Sequence, residues 1–155
     1  MARHGGTQVV GNVGLYFAAY RLSQMGWNVM PTARNARGID LLAYDATAGH
    51  YLGIQVKALS KLNPVPLGSS VENLLGNWWI IVSKAQADEP ECFIMRPEEV
   101  KTLAHRGVNE SGVVSYWLQP NQYNKAEFRK AWDRIGRGDA GLGLPTISVV
   151  PTAAT

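Results

Sequence analysis

Residues 38–45 (GIDLLAYD) and 51–59 (YLGIQVKAL) form two largely apolar stretches joined by a short link. Each reads as a strand. The Ala46-Thr47-Ala48-Gly49 link reads as a hairpin in which Gly49 can take a positive φ. Side chains alternate between the faces of a strand, so Gln55 and Lys57 share one face while Ile54, Val56 and Ala58 share the other. Asp40 lies between Ile39 and Leu41, a second charge embedded in an apolar strand. A hairpin pairing the two strands can bring Asp40, Gln55 and Lys57 together. Polar groups of this kind are expensive to bury without partners. A carboxylate, a carbonyl oxygen and an ammonium converging on one patch suit a divalent cation beside a phosphate. The structural alternative for the same residues is an Asp40–Lys57 salt bridge with Gln55 as a bystander.

The rest of the chain supplies a setting for that hairpin. Thr7 caps a helix expected to reach about Met25, with Val9, Val13, Phe17 and Tyr20 on one face, widened by Val10 and Tyr16, and with Gly26 ending it. A short strand is expected over 27–32. Residues 61–70, carrying two prolines, read as a loop, and a short helix is expected near 71–75. The WWIIVS run at 78–83 reads as a strand buried on both faces. Another strand follows at 92–95, then a helix opened by Pro97 and reaching about His105. Residues 115–119 read as extended. A last helix is expected from Asn124 to about Ile135, with Phe128 and Trp132 four apart. The order predicts one α/β (α+β) domain with a mixed sheet over residues 1–135, followed by a Gly/Pro/Thr/Ala-rich tail over 136–155.

At 155 residues and 46% hydrophobic, the chain can bury a core without disulfide or metal staples. The single cysteine, Cys92, cannot form an internal disulfide, which points to a cytoplasmic setting. The longest apolar run, 78–82, is far short of a membrane span, and the N-terminus lacks the apolar stretch of a signal peptide. The net charge of +3 is uneven. Residues 1–70 hold six Lys/Arg against two Asp/Glu, residues 71–124 four against seven, and residues 125–155 five against three. A basic first half suits a polyanionic partner, although ordinary surface solubilisation explains the same balance. Three scattered histidines show no zinc-ligand spacing, and Cys92 fits a buried small hydrophobe. The five tryptophans fit core or subunit contacts better than base stacking.

Several motifs together carry a resemblance. They are Gly11-Asn12-Val13-Gly14 on the first helix, Leu22 and Gly26-Trp27, then Gly38-Ile39-Asp40-Leu41-Leu42-Ala43, and finally Ile54-Gln55-Val56-Lys57. In this order and spacing residues 11–57 resemble the core of the PD-(D/E)XK nuclease superfamily, in the manner of its Holliday-junction-resolvase-like and homing-endonuclease members. The 78–82 strand extends the resemblance. It implies a restriction-endonuclease-like core, a mixed central sheet flanked by helices, and metal-dependent hydrolysis of DNA phosphodiesters; the short chain carries no recognisable target-reading module, so cutting selective for DNA structure is expected over reading of a long sequence. Asp40, Gln55 and Lys57 take the catalytic positions. Asp40, Gln55 and the Val56 backbone carbonyl take the positions that hold Mg2+ or Mn2+. Gln55 stands where most members carry Asp or Glu, and Leu15 where many carry a helix glutamate. Arg34, Arg37 and Lys61 flank these residues in sequence, and Lys125, Arg129 and Lys130 make the expected last helix basic; all six are candidates for the DNA backbone. A homodimer or higher homo-oligomer is expected, since two related sites most simply cut two strands. The rival expectation is a catalytically degenerate member that binds DNA or a protein partner without cutting.

Overall fold

The computed structural model describes residues 4–33 and 38–140. The chain begins with a long helix, α1 (His4–Gln24), followed by strands β1 (Asn28–Pro31), β2 (Leu41–Tyr44) and β3 (Tyr51–Ala58). Next come β4 (Val65–Gly68), β5 (Trp78–Ser83) and β6 (Glu91–Met95), then helix α2 (Pro97–Leu103), β7 (His105–Val108) and β8 (Val114–Leu118). A one-turn helix α3 (Pro120–Tyr123) and a 3-10 turn (Trp132–Arg134) complete the described elements. The result is a mixed α/β fold built on two sheets.

The larger sheet has the order β1-β2-β3-β5-β6. β1, β2 and β3 form an antiparallel meander, β5 joins β3 in parallel, and β6 pairs antiparallel with β5. The expected hairpin is present, with Tyr44 opposite Tyr51 and Leu41 opposite Ile54. Its turn is fixed by Asp45, whose Oδ1 accepts from the backbone N–H groups of Gly49 and His50, and whose Oδ2 meets His50 Nδ1 at 2.9 Å. The smaller sheet, β4-β8-β7, is antiparallel throughout.

α1 covers one face of the larger sheet. Val10, Ala18, Leu22 and Met25 pack with Leu41, Ile54, Ile80, Val82 and Ile94. The stripe expected from sequence is buried only in part: Val10 is buried and Val13 and Phe17 pack against the core, whereas Tyr16 and Tyr20 are about 60% exposed and Val9 is exposed as well. The reason is close approach. A Cβ placed on Gly14 would sit 2.4 Å from the Ala58 Cβ, so the middle of the helix lies down on this small residue, and Tyr16 and Tyr20 are turned outward. α1 also starts ahead of Thr7, and Gly26 ends it with φ 86°.

The opposite face of the larger sheet is covered by the smaller one. Trp79, Ile81, Phe93 and Met95 pack against Val65, Leu67, Leu118, Tyr123 and Phe128. Four sequence expectations are corrected here. The 61–70 loop contains β4, and residues 71–75 form turns, not a helix. His105 opens β7, in an antiparallel hairpin with β8. The helix expected over 124–135 does not form. Residues 128–130 run beside β6 instead, where Ile94 N–H donates to Phe128 O and Lys130 N–H to Cys92 O, so the edge of the sheet takes the backbone groups that a helix would have used. Lys130 adopts φ 50° in doing so.

The segment after Ile135 also packs, at least as far as the structure describes it. Trp27 Nε1 donates to Gly136 O, and Gly138 N–H to Met25 O. Arg137 makes two 2.7 Å bonds to Asp139, whose carboxyl this arginine pulls below the usual range. Residues 136–140 therefore close the corner between α1 and β1; the rest of the expected tail lies outside the described residues.

Candidate functional site

The chain reaches Asp40 through Gly38, whose φ of 74° is strained for any other residue and whose Cα side is covered by Leu75. Asp40 is a bend residue just before β2, not a residue within the strand. Its backbone is held on both sides: its N–H donates to Ile54 O at 2.8 Å, and its C=O accepts from Thr32 N–H at 2.9 Å. Its carboxylate then takes over where the ladder to β3 stops. Oδ2 accepts from Val56 N–H and from Gln55 Nε2, each at 2.7 Å. The hairpin thus brings Asp40, Gln55 and Val56 together.

Lys57 joins them from two residues further along β3. Backbone groups alternate sides along a strand, so Val56, like Ile54, turns its C=O as well as its N–H toward the β2 side, where Asp40 stands. Gln55 and Lys57 point to the face covered by the smaller sheet, beside Trp79 and Ile81, their register partners on β5. The Lys57 Nζ lies 5.5 Å from the centroid of the Trp79 ring. Burial holds the Lys57 pKa below the usual lysine range, and the negative charge of Asp40 opposes that shift in part.

The structural alternative, an Asp40–Lys57 salt bridge, is not what forms. Among the described residues no ion pair or hydrogen bond engages the Lys57 ammonium. Asp40 is satisfied by neutral donors, and the half-buried Lys57 ammonium forms no ion pair with it, feeling its charge only at a distance. That arrangement can receive an anion on Lys57 and a cation at Asp40.

The donor set fits a hard metal ion. Asp40 supplies one carboxylate, Gln55 an amide whose oxygen becomes available when it turns from donating to Asp40, and Val56 a carbonyl directed to the same side. Such a set suits Mg2+ or Mn2+ when substrate phosphates complete the shell, since Mg2+ needs only one or two protein carboxylates. It offers nothing to a soft ion, and no group of three His, Cys, Asp or Glu side chains converges among the described residues. Leu15 is partly buried against the α1-side core, and no carboxylate stands at that position.

The other candidates are dispersed. Lys61 is exposed in the loop after β3. Arg34 and Arg37 lie outside the described residues. Arg129 and Lys130 are exposed and Lys125 half-buried along β6, at the far edge of the sheet from β1 and β2. With strands about 4.8 Å apart, three strand spacings separate β2 from β6, roughly 14 Å. Cys92 is buried and its thiol is pushed up to about 12, which removes it as a nucleophile. Four of the five tryptophans are buried; Trp117 alone is exposed, at 37%. Trp79 is the residue at the site that the sequence reading left in the core. The β5 register opposite Gln55 is the feature that identifies it.

No family model matches the chain, and no curated protein or solved structure matches it. No helix among the described residues is long and apolar enough to cross a membrane.

Proposed function

We propose that this chain is a metal-dependent DNA endonuclease of the PD-(D/E)XK type with a restriction-endonuclease-like core. The observation that carries the reading is the half-buried Lys57 ammonium without an anionic partner, next to a carboxylate held only by neutral donors. The element order supports it: a helix, an antiparallel meander of three strands, and a further strand parallel to the third, with the polar groups at the β2–β3 junction.

Asp40, the Gln55 side-chain oxygen and the Val56 carbonyl would hold Mg2+ or Mn2+. The ion supplies Lewis-acid polarisation of a phosphate and a lowered pKa for bound water. Lys57 binds a non-bridging phosphate oxygen and stabilises the charge that grows there as the phosphorus gains a fifth bond. The Val56 N–H orients the Asp40 carboxylate. Two copies of the chain are the working unit for duplex cutting, and the outward apolar residues Val9, Tyr16 and Tyr20 of α1 offer surface for self-association.

The second reading is a relative that binds DNA or a protein without cleavage. It is favoured by the single carboxylate: Gln55 adds an oxygen but no charge, and Leu15 adds neither. The deciding experiment is a cleavage assay in Mg2+ or Mn2+ on labelled single strands, duplex, flap and four-way-junction DNA, with EDTA, Asp40→Ala and Lys57→Ala as controls. Metal-dependent cutting lost in both variants is the expected result. Salt-sensitive binding with no cutting would install the second reading, and neither binding nor cutting would remove both.

A further inference from the structure

We propose that Trp79 is the positioning residue of this site, its indole, tethered to Leu75, fixing the Lys57 ammonium beside Asp40. The inference deepens the nuclease reading and rests on it for its catalytic consequence, but the placement of the ammonium can be tested without any activity.

The segment from Leu75 to Trp79 grips every part of the site. Trp79 Nε1 donates to Leu75 O at 3.0 Å, which sets the plane of the ring. The Leu75 side chain lies over Gly38, so close that a Cβ there would be 2.7 Å from the Leu75 Cβ, and Gly38 is the turn that delivers Asp40. Between them Asn77 binds Gly53 of β3 twice: its N–H donates to Gly53 O, and its Oδ1 accepts from Gly53 N–H, both at 2.7 Å. One short stretch of chain therefore links the approach to Asp40, the strand that bears Gln55 and Lys57, and the ring under the ammonium.

The ring is what orients Lys57. A lysine side chain has four flexible torsions and a point charge, so it needs a partner to hold one conformation. Among the described residues the Trp79 face, 5.5 Å from Nζ, is the contact Lys57 makes, within the range of a cation–π attraction. Trp79 is itself 4% exposed and cannot move with the lysine. Its neighbour Trp78 provides the contrast. It faces the α1 side and stacks on Arg96 and Arg134, the latter tied to Glu99 and to Ile94 O.

The test is NMR of protein labelled on lysine, with the Lys57 resonance assigned by its loss in Lys57→Arg. The expected result is that the Lys57 ε-methylene protons lie upfield of those of the other lysines because of the ring current. Trp79→Phe should keep part of that shift, Trp79→Leu should abolish it, and Trp78→Phe should leave it in place. An unshifted Lys57 in the wild-type protein, or a shift that survives Trp79→Leu, overturns the proposal. Should Trp79→Leu not fold, the wild-type shift and its partial retention in Trp79→Phe decide the matter. In cleavage, Trp79→Leu should lower kcat about tenfold with little change in KM, and should have no further effect in a Lys57→Met background. A protein with the shift but without any cleavage would refute the nuclease reading and leave the positioning contact standing.

Discussion

The two faces of the larger sheet are built from the same strands and do opposite work. On the α1 side, Ile54, Ile80, Val82 and Ile94 pack with apolar residues of the helix, which approaches closely at Gly14 and carries its one charge near this core, Arg21, over the Trp132 ring. On the other side, β3 presents Gln55 and Lys57 next to Trp79, and the smaller sheet leaves the ammonium without an anion. The first face is optimised for packing. The second retains an unpaired buried charge, which lowers stability, and such a charge is expected where a site binds a charged ligand. The difference teaches that one strand, by alternating successive side chains between its faces, can carry the core on one side and the chemistry on the other.

Substitutions can break this comparison or sharpen it. The largest effect is expected at Asp40: Asp40→Asn should lower metal-dependent DNA cleavage about a hundredfold or more, read from single-turnover rates, while leaving the fold intact. Next is Lys57→Met. It should reduce cleavage on a similar scale and yet leave the protein as stable as before or more so, because it removes a buried cation that lacks a partner. The sign follows from linkage. The folded state holds the Lys57 pKa below its ordinary value, so the unfolded chain binds more protons between the two values, and stability rises with pH across that alkaline window. Denaturant melts of the wild type should show that rise, and Lys57→Met should flatten it.

Gly14→Ala probes the other face. The new methyl would collide with the Ala58 Cβ, so a loss of about 1–3 kcal/mol is expected in denaturant unfolding, without a change in metal affinity. Gln55→Glu places a second carboxylate beside Asp40 and should tighten Mn2+ binding, measured by calorimetry in the presence of uncleavable DNA. The smallest effect belongs to Asp45, in the hairpin turn and on neither face. The His50 side chain, aided by backbone N–H groups, holds its carboxyl at about 2. The stability it contributes is present above the ordinary aspartate range and lost as pH falls toward that value. Asp45→Asn should remove this part of the acid transition.

What the sequence disclosed divides along physical lines. The β2–β3 hairpin and the convergence of Asp40, Gln55 and Lys57 were legible because they depend on alternation within one strand and on a short turn. The buried side of α1 was legible only in part: Val10, Val13 and Phe17 face the core as expected, but hydrophobic size also pointed to Tyr16 and Tyr20, while Gly14 is the residue that meets Ala58. In the smaller sheet β8 was legible as the extended 115–119 stretch, whereas β4 was hidden among Pro64, Pro66 and Gly68, which read as a loop, and β7 began where a helix was expected to end. The 124–135 stretch has a helical spacing of Phe128 and Trp132, but the open edge of β6 captured its backbone. Trp79 was visible only as an apolar residue; the parallel register of β3 and β5, a long-range property, is what sets it beside Lys57.

The most direct measurement is the rate of Mn2+-dependent cleavage of a DNA duplex by the wild type, Asp40→Asn and Gly14→Ala, compared at a temperature where all three remain folded. The account predicts cleavage by the wild type and by Gly14→Ala at similar rates, and its loss in Asp40→Asn. Equal cleavage by the wild type and Asp40→Asn, or none by any of the three, would contradict the assignment of chemistry to this face of the sheet.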